Sequence, residues 1–285
     1  MIVAEWPSNH GAGPAPASSL RGPVPMPFDG PFAEDTLPSP SVPAPIRARM
    51  QTHFSDRLET GMEFLHELIG EDRKNRPQVA ITPQSITIHN TSNDNPGADA
   101  DAHSRFVRNT GHYMLNGKKN WVSWHFTVDD VRVIQQLPVN EMAWHVNSAA
   151  NGSSIGIETC MHAGIDEAAA NEHLAELVAG LCRALNLDTG PALGTETIRS
   201  HKSWTGKACP VRILPMWDDF IARVRVFLDA VPTEGAAPLD FARSEPGASL
   251  EGALGALGPD DAGPDDYTDI EHDAIAAALS QAGES

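Results

Sequence analysis

Cysteine is scarce in this chain. Cys160, Cys182 and Cys209 are the only three, an odd number without short spacing. That argues against a disulfide scaffold. Basic residues are also few, 20 against 38 acidic ones, and no basic run occurs, so nucleic acid is not an expected partner. No stretch of about 18 apolar residues exists, and no transmembrane segment is expected. The N-terminus, Met1-Ile-Val-Ala-Glu-Trp-Pro7, lacks a basic segment followed by an apolar one. No Sec signal peptide is therefore evident, and export would need another route.

What is present divides unevenly. Residues 1–45 are dense in Pro, Gly, Ser and Ala and read as a disordered segment. In residues 46–76, Ile46, Met50, Phe54, Leu58, Met62, Leu65 and Ile69 recur at spacings of three and four, which predicts an accessory amphipathic helix. Residues 77–230 read as a single catalytic domain. From Asp229 onward there are thirteen acidic residues and one arginine, a net of −12 out of −18. Residues 231–285 therefore read as an acidic low-complexity tail, with one possible short helix over 267–278.

Within the central domain, Ser85–Asn90 and Ser154–Thr159 read as strands. Residues 123–129 and 131–136 alternate and predict a pair joined by a tight turn at Asp129-Asp130. Residues 100–115 and 217–228 carry helical patterns. The strongest is 167–186, with Leu174, Leu177, Val178, Leu181 and Leu185 on one stripe. Cys182 belongs to that apolar stripe, and Cys160 ends a strand-like run and reads as packing. The expected fold class is α/β: a mixed central sheet flanked by helices.

The chemistry concentrates in His201-Lys-Ser-Trp-Thr-Gly-Lys-Ala-Cys209-Pro210. His201 and Cys209 stand eight positions apart, and Lys207 precedes the cysteine by two. His89 lies in the strand Ser85-Ile-Thr-Ile-His89. Two imidazoles and one thiolate make a three-ligand zinc (Zn2+) set with the fourth position left for water, the pattern of catalytic rather than structural sites. Glu158, in Ile155-Gly-Ile-Glu158, is a carboxylate in an apolar strand, costly to bury without a partner or a purpose. Near a metal it would take and return a proton, and Lys207 would stabilise an oxyanion. His145, in Ala143-Trp144-His145-Val146, either lines a cleft or caps a strand.

Taken together these segments resemble the zinc-dependent N-acetylmuramoyl-L-alanine amidases of the type 2 family, closest to the endolysin and autolysin branch. The likeness runs over residues 83–214. Ile86-Thr-Ile-His89-Asn-Thr91 is similar to the family's first ligand strand, and Ser123-Trp-His-Phe-Thr-Val-Asp-Asp130 to its central strand. Gln136 to His145 resembles the segment with a cleft histidine, and Ser154-Ile-Gly-Ile-Glu158 the strand with the catalytic glutamate. Residues 201–210 resemble the signature His-x-x-Trp-Ser-Gly-Lys-x-Cys-Pro.

The resemblance implies zinc on His89, His201 and Cys209, Glu158 as the base that activates water, and Lys207 as oxyanion stabiliser. It implies hydrolysis of the amide between N-acetylmuramic acid and L-alanine in peptidoglycan, with His145 in the substrate groove. Trp124 stands where some members have a catalytic tyrosine; it is expected to contact substrate without donating a proton. Thr205 replaces the signature's serine, and Ser203 stands where relatives often carry an acidic residue.

The expectation is a phage or prophage endolysin, cytoplasmic until a holin-type pore releases it to the cell wall. A cytoplasmic amidase recycling soluble muropeptides is one alternative, and an interbacterial amidase toxin another. A non-catalytic peptidoglycan-binding module of the same fold is the rival from a different class. Such modules commonly lose the cysteine ligand, which is present here as Cys209.

Overall fold

A computed structural model of the chain describes residues 56–57, 61–230, 239–245, 247–258, 261 and 272–282, all within one unit, Thr52–Ser285. The strands among them are β1 (Asp56–Arg57), β2 (Glu63–His66), β3 (Ser85–Asn90), β4 (His112–Leu115), β5 (Lys118–Trp121), β6 (Phe126–Val128), β7 (Arg132–Gln135), β8 (Ser154–Thr159) and β9 (Ile198–Ser200). The helices are α1 (Ala100–Asn109), α2 (Ser148–Asn151), α3 (Glu167–Ala184), α4 (His201–Thr205), α5 (Trp217–Asp229), α6 (Leu250–Gly255) and α7 (His272–Ala282).

Seven strands form one sheet in the order β1-β2-β7-β6-β8-β3-β9. The run β6-β8-β3-β9 is parallel; β7 reverses against β6 and is joined in parallel by β2. The mixed sheet expected from the sequence is thus present. Alternation decides what each face carries. Ile86, Ile88, Ile155, Ile157, Phe126 and Val128 point to one side, where Leu174, Leu177, Val178 and Leu181 of α3 and Phe220 and Val224 of α5 complete the largest core cluster. Each such buried aliphatic or aromatic side chain contributes about 1.5–3 kcal/mol relative to exposure. Thr87, His89, Thr127, Gly156 and Glu158 occupy the other side.

Local signals explain the helix boundaries. Asp99 caps α1 by accepting from the Ala102 N–H, and Asp166 caps α3 by accepting from the Ala168 and Ala169 N–H groups. The helix predicted over 100–115 stops at Asn109. Gly111, at φ 63°, turns the chain into the β4–β5 hairpin, whose Asn116-Gly117 turn has positive φ at both residues.

The flanks differ from expectation. In the segment expected to be an accessory helix, residues 63–66 instead form β2, inside the main sheet and paired with β7 from Glu63↔Arg132 to His66↔Gln135. Met62 and Phe64 alternate at a period of two into the large core, and this burial prevails over the helical spacing. The rest of that expectation over 46–55 and 58–60, and the whole of 1–45, lie outside the described residues. The acidic tail is not featureless where described. Phe241 enters the large core, Ala248 bridges to Val79, and Ile275 of α7 is buried with Phe106, Val107 and Tyr113.

Candidate active site

His89 lies one residue before the end of β3, and Glu158 is its register partner on β8. Directly paired residues of adjacent parallel strands project to the same face, so an imidazole and a carboxylate sit side by side there. Both are buried. His201 follows β9, the neighbour of β3 on the other side, and opens α4.

The eight-residue interval between His201 and Cys209 is closed by local structure. Ser200 caps α4 by accepting from the Ser203 N–H. Gly206, at φ 89°, ends the helix in the left-handed region that favours glycine. The chain then doubles back, and the Lys202 N–H donates to the Cys209 carbonyl at 2.9 Å. Asn90 fastens the returning loop to β3. Its side-chain oxygen accepts from the Arg212 N–H at 3.0 Å, its amide donates to the Thr159 carbonyl at 3.3 Å, and its backbone N–H points at Cys209 Sγ at 3.5 Å.

These elements gather three donor atoms. The donor atoms of His89, His201 and Cys209 all lie within 4.8 Å of one another, and all three residues are buried. His89 Nδ1 is 3.0 Å from His201 Nδ1 and 3.9 Å from Cys209 Sγ. Tetrahedral zinc with ordinary bond lengths places two nitrogens about 3.3 Å apart and a nitrogen and sulfur about 3.6 Å apart. The spacing and the two-imidazole, one-thiolate chemistry fit such an ion, and three protein ligands leave a fourth position.

Three histidines around this site, His103, His125 and His145, have lowered pKa values. Burial, reinforced by the neighbouring His125 and His201, pushes the His145 pKa well below the usual imidazole value. Burial lowers His125 to about 4 and also lowers His103. Burial and nearby carboxylates raise the Cys160 thiol well above its ordinary range, and burial raises Cys182 to about 12. Neither is a reactive thiol, in keeping with the packing roles read from the sequence.

Two residues expected in the substrate groove are buried. Trp124 is 1% exposed, packs with Phe106, Val107 and Leu137, and donates from Nε1 to Thr127 Oγ1 at 2.7 Å. It is a core residue, because the chain between β5 and β6 turns it inward beneath the sheet's polar face. His145 is also 1% exposed, and its Nδ1 lies 3.0 Å from His89 Nε2. Lys207 is half-buried at the head of the ligand loop, where its carbonyl accepts from the Cys209 N–H at 2.7 Å.

Sequence reasoning missed Asn90, whose only signal was its place directly after a ligand, and His125. His125 donates from Nε2 to the Glu141 carbonyl at 2.8 Å and accepts at Nδ1 from the Gly156 N–H at 3.0 Å. Glu141 in turn forms a buried two-pronged pair with Arg76, at 2.8 and 2.7 Å. This ties down the segment that leads to His145.

Comparison with known proteins agrees with this geometry. A family model described as N-acetylmuramoyl-L-alanine amidase matches residues 79–212, which contain all three donors, Glu158 and Lys207. The N-acetylmuramoyl-L-alanine amidase XlyA of Bacillus subtilis is 38% identical over 166 residues, covering 57% of this chain and 51% of the relative. CwlH, an N-acetylmuramoyl-L-alanine amidase of the same organism, is 36% identical over 159 residues, covering 54% and 58%. The chain thus spans about half the length of the curated relatives it matches. Among solved structures, a mutant endolysin from Bacillus subtilis is 37% identical with a TM-score of 0.51, and the match covers 57% of this chain and 99% of that one. The catalytic domain of XlyA is 38% identical with a TM-score of 0.50, over 56% and 98%. With sequence and fold matching over nearly the whole of a solved catalytic domain, the chain belongs to the N-acetylmuramoyl-L-alanine amidase family.

Proposed function

We propose that residues 79–212 carry a zinc-dependent hydrolase that cuts the amide between the lactyl group of N-acetylmuramic acid and L-alanine in peptidoglycan. The observation that carries this reading is the buried His89, His201 and Cys209 donor set with Glu158 beside it on the neighbouring strand. When bound, zinc supplies a Lewis acid that makes water acidic enough to ionise near neutral pH.

The chain's own residues supply the rest. His89, His201 and Cys209 hold the ion. Glu158 takes the proton from the attacking water and returns it to the departing amine of L-alanine, so that water and amide become carboxylic acid and amine. Lys207 supplies positive charge to the oxygen of the scissile carbonyl as it becomes an oxyanion. The identities of the relatives favour polymeric cell wall as the substrate, with the protein acting as a phage or prophage endolysin. It would be made in the cytoplasm and released through a holin-type pore. No helix among the described residues is long and apolar enough to cross a membrane.

The experiment is mass spectrometry of purified peptidoglycan after digestion. Release of stem peptides with a free N-terminal L-alanine supports the reading. Cuts only in the glycan, or only within the stem peptide, contradict it. Release from soluble muropeptides but not from intact sacculi would replace the endolysin assignment with a recycling role.

A further inference from the structure

His145 stands at the end of a hydrogen-bond chain whose direction can be read from its donors. The Trp204 indole N–H can only donate, and it meets Thr87 Oγ1 at 3.0 Å. Ser154 gives its one hydroxyl proton to the Ala150 carbonyl at 2.8 Å, which can only accept. Ser154 Oγ therefore receives its two other neighbours, Thr87 Oγ1 at 2.9 Å and His145 Nε2 at 3.4 Å. The proton of neutral His145 is thereby placed on Nε2, leaving Nδ1 bare. That bare nitrogen faces His89 Nε2 at 3.0 Å and accepts its proton.

We propose that His145 is a positioning residue that holds His89 as its Nε2–H tautomer, keeping the lone pair of Nδ1 aimed at His201 Nδ1 and Cys209 Sγ. The inference rests on the reading of His89 as a metal ligand and assigns His145 a task other than touching substrate. The two rings meet edge to face, with centroids 5.2 Å apart and planes at 80°. A ligand imidazole whose second nitrogen donates to a fixed acceptor is both oriented and made more basic.

The fold makes room for this ring at one position. A Cβ on Gly156 would stand 2.7 Å from both Cγ and Nδ1 of His145, so only glycine lets the imidazole lie across β8. Asn151 fixes the backbone beneath, its side-chain oxygen accepting from the N–H groups of His145 and Val146 at 3.0 and 2.9 Å. Trp204, in the α4 helix that His201 opens, is joined through Thr87 and Ser154 to the residue that orients His89.

Two measurements test the proposal. Zinc affinity is read by competition with a chromophoric chelator, using folded protein as judged by circular dichroism. His145→Leu should bind zinc about 10- to 100-fold more weakly. His145→Asn, whose side-chain oxygen can stand near the place of Nδ1, should recover most of that loss. Gly156→Ala should weaken binding by displacing the ring, without deleting any polar atom. Unchanged affinity in His145→Leu or Gly156→Ala, or an Asn variant no better than Leu, overturns the proposal. The second measurement needs no variant: two-bond 1H–15N spectra of the metal-free wild-type protein should give the Nε2–H pattern for His89 and His145. An Nδ1–H pattern at either residue overturns it. A wild-type protein that binds no zinc would instead remove the metal reading beneath it.

Discussion

His89 and Glu158 are direct partners across the parallel β3–β8 pair, on the face opposite the isoleucine that precedes each of them. The same alternation that buries Ile86, Ile88, Ile155 and Ile157 against α3 and α5 therefore delivers a nitrogen donor and a carboxylate to one spot. A slip of one residue in either strand would drive a charged or polar group into the core and an isoleucine into the site, so the core itself fixes the register. Packing and chemistry are set here by one pattern.

Separating metal binding from proton transfer follows from that placement. Glu158→Gln keeps the shape and all three donors. It should retain zinc and lose turnover by about a hundred- to ten-thousand-fold. Metal analysis and peptide-release rates on the same sample check this, and undiminished turnover would remove Glu158 from the proposed role.

Two of the cysteines, Cys209 and Cys160, should behave differently. Cys209→Ser should lower zinc binding and activity together. Cys160→Ala should leave zinc stoichiometry intact, because Cys160 lies outside the donor set and its thiol is held protonated by burial. Zinc content measured after dialysis distinguishes them; loss of the ion from the Cys160 variant would mean that the donor set is misassigned.

Trp124 should matter to stability rather than to substrate. Trp124→Phe deletes the indole N–H that Thr127 accepts and should cost about 1 kcal/mol in urea unfolding. KM for cell-wall fragments should stay close to that of the parent protein. A large rise in KM without a stability change would return Trp124 to the groove.

Acid should destabilise the fold through His125. Its folded-state pKa is about 4, against 6.5 for an ordinary imidazole, so below pH 6.5 the unfolded chain binds the extra proton first. The stabilising contribution is complete above pH 6.5 and is lost as pH falls to 4, by about 3 kcal/mol. His103 and His145, also lowered by burial, act in the same direction. Urea unfolding between pH 7 and 4 reads the slope, and His125→Asn should flatten part of it. An unchanged slope in that variant would assign the effect to the other histidines.

Much of the site was legible in the sequence because it is encoded locally. Ile-Thr-Ile-His and Ile-Gly-Ile-Glu announce strands with one apolar face, and the His201–Cys209 interval contains the glycine that lets the chain return. The 167–186 stripe likewise became α3 almost at its expected bounds. What escaped depends on partners distant in the chain. β2 is four residues long and is held by β7, nearly seventy residues away, so its helical spacing was a poorer guide than its place in the sheet. Composition hid Phe241 and Ile275, single apolar anchors within an acidic tail. The contact between His145 and His89 joins residues 56 apart, and no pattern in either segment specifies it. The helical pattern over 100–115 ran past Gly111, where the chain turns into the β4–β5 hairpin.

The most direct test of the central claim is a zinc titration of metal-stripped protein, followed by the rate of stem-peptide release from purified peptidoglycan. The stripped protein should release no peptide and should recover fully at one zinc per chain, with the Cys209→Ser variant unrecovered. Full activity in protein shown to be free of metal would contradict it.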